Sequence, residues 1–175
     1  MNVEKAIQWI ELEEGGYVHN PADPGGATNY GITQRTYDAW RKSHGLAAKP
    51  VWTLTLPEAS QIYREKYWVP AHCSDFPDGV DLVHMDVCVQ RGDRRAIEMA
   101  QQLSGVDADG LWGPDTAQAI KTLQPLPYLN ALKAHYLKQV EIRTASRVFI
   151  HGWRNRTISL ARFINCTDFV WGEDE

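Results

Sequence analysis

The sequence has few cysteines and no long apolar run, and both absences exclude common architectures. Cys73, Cys88 and Cys166 are an odd set that cannot all pair, so no disulfide framework is predicted. No apolar run reaches membrane-spanning length, and the chain enters Glu4 and Lys5 without the apolar core of a signal peptide. We therefore expect a protein without an integral membrane segment, made in the cytoplasm and dependent on a separate release step to reach any target outside.

Several catalytic and binding motifs are also missing. The chain has no G-x-S-x-G elbow of a serine hydrolase, and Gly25-Gly26 does not lead into the Lys-Ser or Lys-Thr of a phosphate-binding loop. The net charge of -4 disfavours general nucleic-acid binding. A possible zinc set lacks the usual ligand spacing, so buried helix residues are the simpler interpretation and no metal is expected. That set is His72, Cys73, His84 and Cys88.

The 175 residues are 43% hydrophobic and 23% charged, which is typical of a globular protein with one domain or two small halves. Charge is uneven along the chain: residues 131–165 carry seven Lys and Arg against Glu141 alone. A basic helical segment of this kind is either a solvated face or a contact for anionic wall or lipid phosphate.

The stretch Glu13–Thr33, EEGGYVHNPADPGGATNYGIT, organises the rest of the chain. The helix before it has apolar residues at helical spacing, and Glu14 continues that row while Glu13 turns towards water. Gly15-Gly16 is expected to end the helix in a left-handed cap. The apolar row consists of Val3, Ala6, Ile7 and Ile10.

This arrangement predicts a general acid. A carboxyl at the edge of a core has a raised pKa because burial penalises its charged form, so Glu14 could donate a proton near neutral pH. Asp23 follows nine residues later between two prolines, and Thr28 five residues after that. Enzymes that cleave glycosidic bonds usually use two carboxyl groups in unequal environments. The alternative is a solvated glutamate and a turn-forming aspartate.

Two segments, Glu14–Tyr17 and Asn20–Thr33, closely resemble the signature of glycoside hydrolase family 108, the N-acetylmuramidases of the lysozyme clan. The resemblance implies that Glu14 is the catalytic acid acting on a peptidoglycan glycan strand, without a cofactor. By similarity to phage-type lysozymes, Asp23 and Thr28 are further catalytic candidates, although this Thr falls one residue early. The expected substrate-binding residues within the same stretch are Tyr17, Asn29 and Tyr30.

The second half of the chain also resembles that family. Gly105–Thr116 is similar to its predicted peptidoglycan-binding segment, and Gly152–Arg156 to its C-terminal end. The implied organisation is a muramidase domain over residues 1–90, a helical binding segment over 91–166 and an acidic tail over 167–175. One departure is Gln90-Arg91-Gly92, where family members tend to have an Asn-Ser-Gly or similar triplet.

The predicted fold is all-α and lysozyme-like, with a small extended element over residues 29–33. Thr33 is expected to cap one helix, and Thr55 with Glu58 to form the capping box of another. A long helix from about Tyr128 to Ile150 is expected to break at Gly152. Val80–Val89 is predicted to be a buried helix, and Arg94–Leu103 an amphipathic one.

The expected function is that of a monomeric, endolysin-like muramidase of phage or prophage origin, with holin-assisted release as one possible route. It would cleave the β-1,4 bond between N-acetylmuramic acid and N-acetylglucosamine. Two alternatives remain open at this stage. One is a lytic transglycosylase on the same bond, and the other is a non-catalytic module for wall binding or assisted secretion.

Overall fold

The computed structural model describes residues 3–18 and 26–172, except for the side chains of Glu11 and Glu14. Over these residues it has eight α-helices and one two-stranded antiparallel sheet, which confirms the predicted mainly helical fold. The chain divides into two compact units, Asn2–Lys66 and Tyr67–Glu175. No helix in the described ranges is both long and apolar enough to cross a membrane.

The N-terminal unit contains three helices and the sheet. Their bounds are α1 Val3–Glu14, β1 Thr28–Asn29, β2 Ile32–Thr33, α2 Gln34–Ser43 and α3 Leu56–Tyr63. A 3₁₀ turn covers Val51–Thr53, and α3 continues into a π-helical turn, Arg64–Trp68.

Helix α1 forms as its sequence predicts. All four residues of the apolar row are at most 5% exposed, and Trp9 beside them is buried as well. The helix ends at Glu14, and Gly15 follows with a φ of 65°, the left-handed conformation that glycine adopts at little cost. Glu13 is half-buried rather than directed fully to water.

The starts of α2 and α3 are fixed by local hydrogen bonds. Thr33 Oγ1 accepts from the backbone N–H of Thr36 at 3.2 Å, which caps α2 as predicted. At α3 the predicted capping box is present, with the Thr55 backbone N–H donating to Glu58 Oε2 at 3.1 Å. Both caps satisfy backbone donors that have no partner inside the helix.

Glu58 also joins α3 to α2. Arg41, 5% exposed, donates through NH1 to Glu58 Oε1 at 2.8 Å and to the Tyr37 hydroxyl at 3.0 Å. The Tyr37 hydroxyl in turn donates to Glu58 Oε2 at 3.0 Å. A buried guanidinium is tolerated only when it is paired, so this carboxylate compensates the charge of Arg41 in the core of the unit.

This arrangement predicts a pH dependence of stability. Burial acts to raise the pKa of Glu58, but hydrogen bonds from Thr55 and Tyr37 and the charge of Arg41 outweigh it and lower the pKa. A lowered folded-state pKa stabilises the fold above the unfolded value of about 4.3, and this contribution is lost as pH falls through the lowered pKa. The wild type should therefore exceed Glu58→Gln in unfolding free energy most clearly above about pH 5.

Chemical denaturation of both proteins between pH 2 and pH 7 measures this difference. Glu141→Gln, which makes the same change at an exposed position, serves as control and should show no comparable convergence at low pH. An unchanged gap between wild type and Glu58→Gln across the whole range would contradict the role assigned to Glu58.

The C-terminal unit is built around a central helix. Its α-helices are α4 Val80–Arg91, α5 Asp93–Ser104, α6 Pro114–Ala119, α7 Pro125–Ile142 and α8 Ile150–Phe163. Nine consecutive residues of α4, Val80–Cys88, are buried, and α5 and α7 pack against it. A helix that is buried on all sides has no polar face, which explains its weak amphipathic pattern.

The buried carboxylate of α4 has hydrogen-bond partners from α8 and from the end of α4 itself. Asp86, 1% exposed, accepts from Arg156 Nε at 2.8 Å and from Gln90 Nε2 at 2.8 Å. Gln90 Oε1 also accepts from the Tyr136 hydroxyl at 2.9 Å. This network gives Gln90 a structural role and ties α8 and α7 to α4.

His84 and Cys88 are buried helix residues, the simpler of the two sequence interpretations. His84 Nε2 lies 2.9 Å from the Ala71 carbonyl and Nδ1 2.7 Å from the Tyr128 hydroxyl, so both ring nitrogens are engaged. Burial lowers the pKa of His84 to about 3 and raises that of Cys88 to about 12. Among the described residues, no cluster of three or more potential metal ligands forms.

The prediction of a long helix broken at Gly152 is wrong. Helix α7 ends at Ile142, Arg143 is extended with φ -132° and ψ 95°, and Thr144–Phe149 forms 3₁₀ turns. Gly152 lies inside α8. Glycine in a helix costs only about 1 kcal/mol relative to alanine, and packing of α8 against α7 compensates for that cost.

Candidate active site

A tight hairpin lies at the centre of the stretch that the sequence singled out. Thr28 pairs with Thr33 and Asn29 with Ile32, leaving Tyr30 and Gly31 as a two-residue turn. Their φ angles are 49° and 68°, both positive as a type I′ turn requires. The extended element was expected near residues 29–33, and the structure refines it into two short strands with Tyr30 in the turn.

Tyr30 is held in an unfavourable backbone conformation. A positive φ at a residue other than glycine costs about 1–3 kcal/mol and persists only when its surroundings fix it. The hydroxyl of Tyr63, a buried residue of α3, donates to the Tyr30 carbonyl at 2.8 Å. The two residues are 33 positions apart, so no local sequence pattern indicates this contact.

Asn29 anchors the hairpin from the other side. Its side chain is 6% exposed, and Nδ2 donates to the Val51 carbonyl at 3.2 Å and, more weakly, to the Leu54 carbonyl at 3.5 Å. These bonds hold β1 against the 3₁₀ turn before α3. The predicted contact of Asn29 with substrate stays a prediction. Its side-chain amide donates its hydrogen bonds to backbone carbonyls of the protein.

The segment that follows Glu14 is attached to this hairpin. Val18 and Thr28 form an isolated antiparallel bridge in which each backbone N–H donates to the other carbonyl at 2.9 Å. Thr28 therefore lies beside a residue only four positions after Glu14. The sequence gives no signal of this pairing, because Val18 belongs to no alternating apolar pattern.

The structure describes the side chains of some of the predicted catalytic and binding residues and not of others. Glu14 is the last residue of α1, but its side chain is outside the described part, and Asp23 falls in residues 19–25, which are outside it altogether. Thr28 and Tyr30 are half-buried, and Tyr17 is 47% exposed. The roles assigned to all of these residues remain predictions.

Three of the seven aromatic residues of the N-terminal unit serve its core: Trp9, Tyr37 and Tyr63 are each at most 3% exposed, whereas Tyr17 and Trp52 are exposed. Trp40 differs, because it is half-buried and lines an open cavity of about 260 Å³ between α2 and α3. Its indole N–H donates to Glu65 Oε2 at 2.9 Å.

A family model described as Glycosyl hydrolase 108 matches residues 7–92, which include most of α1, the hairpin and helices α2 to α4. The class of the protein is therefore a mainly helical glycoside hydrolase. The solved structure of SagA from Brucella abortus matches with a TM-score of 0.75 and 35% sequence identity, covering 95% of this chain and 96% of that one.

The chain thus belongs to glycosyl hydrolase family 108, a family of peptidoglycan hydrolases. A search of curated proteins finds no match. The family model ends at residue 92, whereas the similarity to SagA extends over both units. The fold of the C-terminal unit is therefore shared with SagA.

Proposed function

We propose that the protein is an N-acetylmuramidase that cleaves the β-1,4 bond between N-acetylmuramic acid and N-acetylglucosamine, with Glu14 as general acid. The observation that carries the proposal is the Val18–Thr28 bridge, which joins the chain following Glu14 to the strained hairpin. Backbone strain of this kind clusters at functional sites. The substrate class, peptidoglycan, follows from the family to which the chain belongs.

In the proposed reaction Glu14 protonates the glycosidic oxygen as the bond to the leaving sugar breaks. Positive charge then develops on the other sugar ring and needs a carboxylate or an activated water on the opposite face. Asp23 is assigned to this role and Thr28 to positioning the water. Tyr17, 47% exposed, and Tyr30, in the turn of the hairpin, are assigned to contacts with the glycan.

We also propose a biological setting for this muramidase activity and a role for the C-terminal segment. The protein would act as an endolysin-like, bacteriolytic monomer of phage or prophage origin, on a peptidoglycan strand reached after release from the cytoplasm, with holin assistance as one route. Residues 91–166 would form the wall-binding segment. No step of this reaction requires a cofactor.

Analysis of the products tests the proposed bond and mechanism. Purified peptidoglycan digested by the protein should yield muropeptides with reducing N-acetylmuramic acid ends, since water completes the cleavage. Mass spectrometry after borohydride reduction identifies these ends. Reducing N-acetylglucosamine ends would instead mean that the other β-1,4 bond is cleaved.

The same experiment separates the muramidase from a lytic transglycosylase. A transglycosylase closes the sugar on its own hydroxyl and gives anhydro-muramic ends, lighter by one water. Asp23→Asn should strongly reduce hydrolysis if Asp23 supplies the second carboxylate. Anhydro ends together with an inert Asp23→Asn substitution would replace the proposal by the transglycosylase alternative.

A further inference from the structure

A positively charged cavity lies within the C-terminal unit, among residues that the proposed reaction does not use. Its volume is about 320 Å³, and it is more enclosed than the cavity at Trp40. The lining comes from the end of α4, the outer side of α5 and the middle of α7. Its charged and titratable members are Arg91, Arg95, Glu98 and His135, and the glutamines Gln102 and Gln139 complete its polar lining.

The single carboxylate of this lining is already neutralised. Glu98 accepts from Arg95 NH1 at 2.7 Å and from Arg94 Nε at 3.2 Å, so two guanidinium groups share one acid. Arg91 forms no ion pair with any carboxylate of the described residues, and its guanidinium lies 4.9 Å from the centre of the Tyr136 ring. The cavity thus carries an excess of positive charge.

Two nitrogen atoms of residues that line the cavity have no hydrogen-bond partner within the described ranges. Arg91 Nε is a donor, and His135 Nε2 is a donor in one tautomer of the neutral ring and an acceptor in the other; both atoms are withdrawn from solvent. A buried donor without an acceptor costs about 1–3 kcal/mol. A ligand that brings acceptor oxygens into the cavity would remove this cost through a small side-chain adjustment.

The titration of His135 reflects the same positive field. Burial, followed by the charges of Arg91, Arg95 and Lys138, lowers the pKa of His135 to about 4. The imidazole is therefore neutral at pH 7, and it does not compensate the cations around it. An anion bound beside the ring would oppose these charges and raise the pKa of His135.

We propose that this cavity binds a compact oxyanion of the phosphate or carboxylate type, with Arg91 as its principal ligand. A planar guanidinium presents paired donors that match the oxygens of either group. The cavity volume of about 320 Å³ accommodates a compact anionic group and is too small for a macromolecule. This function goes beyond glycan cleavage and gives a role to Arg91, one of the two residues at which the chain departs from the family triplet.

Histidine-selective NMR of the full chain tests the proposal. The protein is titrated at constant ionic strength with inorganic phosphate and, in a second series, with a peptidoglycan stem peptide ending in a free carboxylate. We expect a saturable shift of the His135 ring signals in at least one series, together with a rise in the His135 pKa from about 4. The exposed His151 should not respond in this way.

Substitutions then locate the binding. Arg91→Gln should weaken the apparent affinity at least about tenfold, since a charged hydrogen bond contributes about 1.5–3 kcal/mol. Arg143→Gln removes the same charge at an exposed position outside the cavity and should change the affinity less than about threefold. Arg95→Gln, on a mostly exposed side chain, provides a second cavity variant if Arg91→Gln perturbs the packing on Tyr136.

Saturation with phosphate alone, or with the stem peptide alone, supports the proposal and identifies the source of the anion. The proposal is overturned if neither probe saturates the His135 shift. It is equally overturned if the cavity variants and Arg143→Gln bind alike. These outcomes do not depend on glycan cleavage, because none of the substituted residues belongs to the proposed catalytic set.

Discussion

Replacing Glu14 with glutamine is expected to reduce peptidoglycan hydrolysis by about 10²–10⁴-fold while leaving the fold intact, because general acid catalysis contributes about that much. Glutamine has the size of glutamate, but its amide cannot deliver a proton to the leaving oxygen. Glu14 is the last residue of α1, and Gly15 follows it in the left-handed conformation that ends the helix. Release of reducing ends from purified peptidoglycan measures the activity, and circular dichroism with thermal unfolding checks the fold.

Glu13→Gln is the matched control, since it makes the same chemical change one residue earlier. It should retain activity within a few-fold of the wild type. Full activity of Glu14→Gln would remove Glu14 from the mechanism. Equal losses in both variants would mean that the negative charge of this helix end matters, rather than the proton of one particular residue.

Replacing Arg156 with glutamine is expected to lower the free energy of unfolding by about 3–5 kcal/mol, because it leaves a buried carboxylate without its cation. Asp86 is 1% exposed, and both Arg156 Nε and NH2 lie 2.8 Å from its Oδ1. For a chain of this length each kcal/mol lowers the melting temperature by about 2–4 °C, so the expected fall is roughly 10 °C. Urea denaturation and calorimetry measure the two quantities.

Two controls isolate the ion pair. Arg147→Gln removes an exposed arginine and should change stability by less than about 0.5 kcal/mol. The double substitution Asp86→Leu with Arg156→Leu should be less destabilising than Arg156→Gln alone, because it removes the buried charge together with its partner. A loss in Arg156→Gln no larger than in Arg147→Gln would show that the pair contributes little.

Local chemistry explains which elements were predicted correctly. The caps at Thr33 and at Thr55 with Glu58 depend on residues within three positions of each other, so their signal is present in the sequence. The buried helix α4 and the left-handed Gly15 likewise follow from neighbouring residues. At the caps and at Gly15 the residues that stabilise the conformation lie within one helical turn, whereas α4 is recognised by its own apolar run although distant helices bury it.

The failures have the opposite cause. Gly152 was expected to break a helix because glycine disfavours helical conformation, but packing of α8 on α7 outweighs that preference. The break falls at Arg143, which no strong helix-breaking residue marks. The extended element expected near residues 29–33 is present, but the sequence did not indicate the turn within it, in which Tyr30 has a positive φ and accepts a hydrogen bond from Tyr63.

The same division applies to the candidate site. The sequence by itself determined the acidic helix end at Glu14, the loop that follows it and the family to which the chain belongs, because these depend on the order of residues along a short stretch. Only the tertiary structure decided that Val18 pairs with Thr28, that Asn29 is committed to the backbone and that Arg91 faces a cavity shared with His135. Such contacts join positions far apart in the chain, and their energies arise only when folding removes both partners from water.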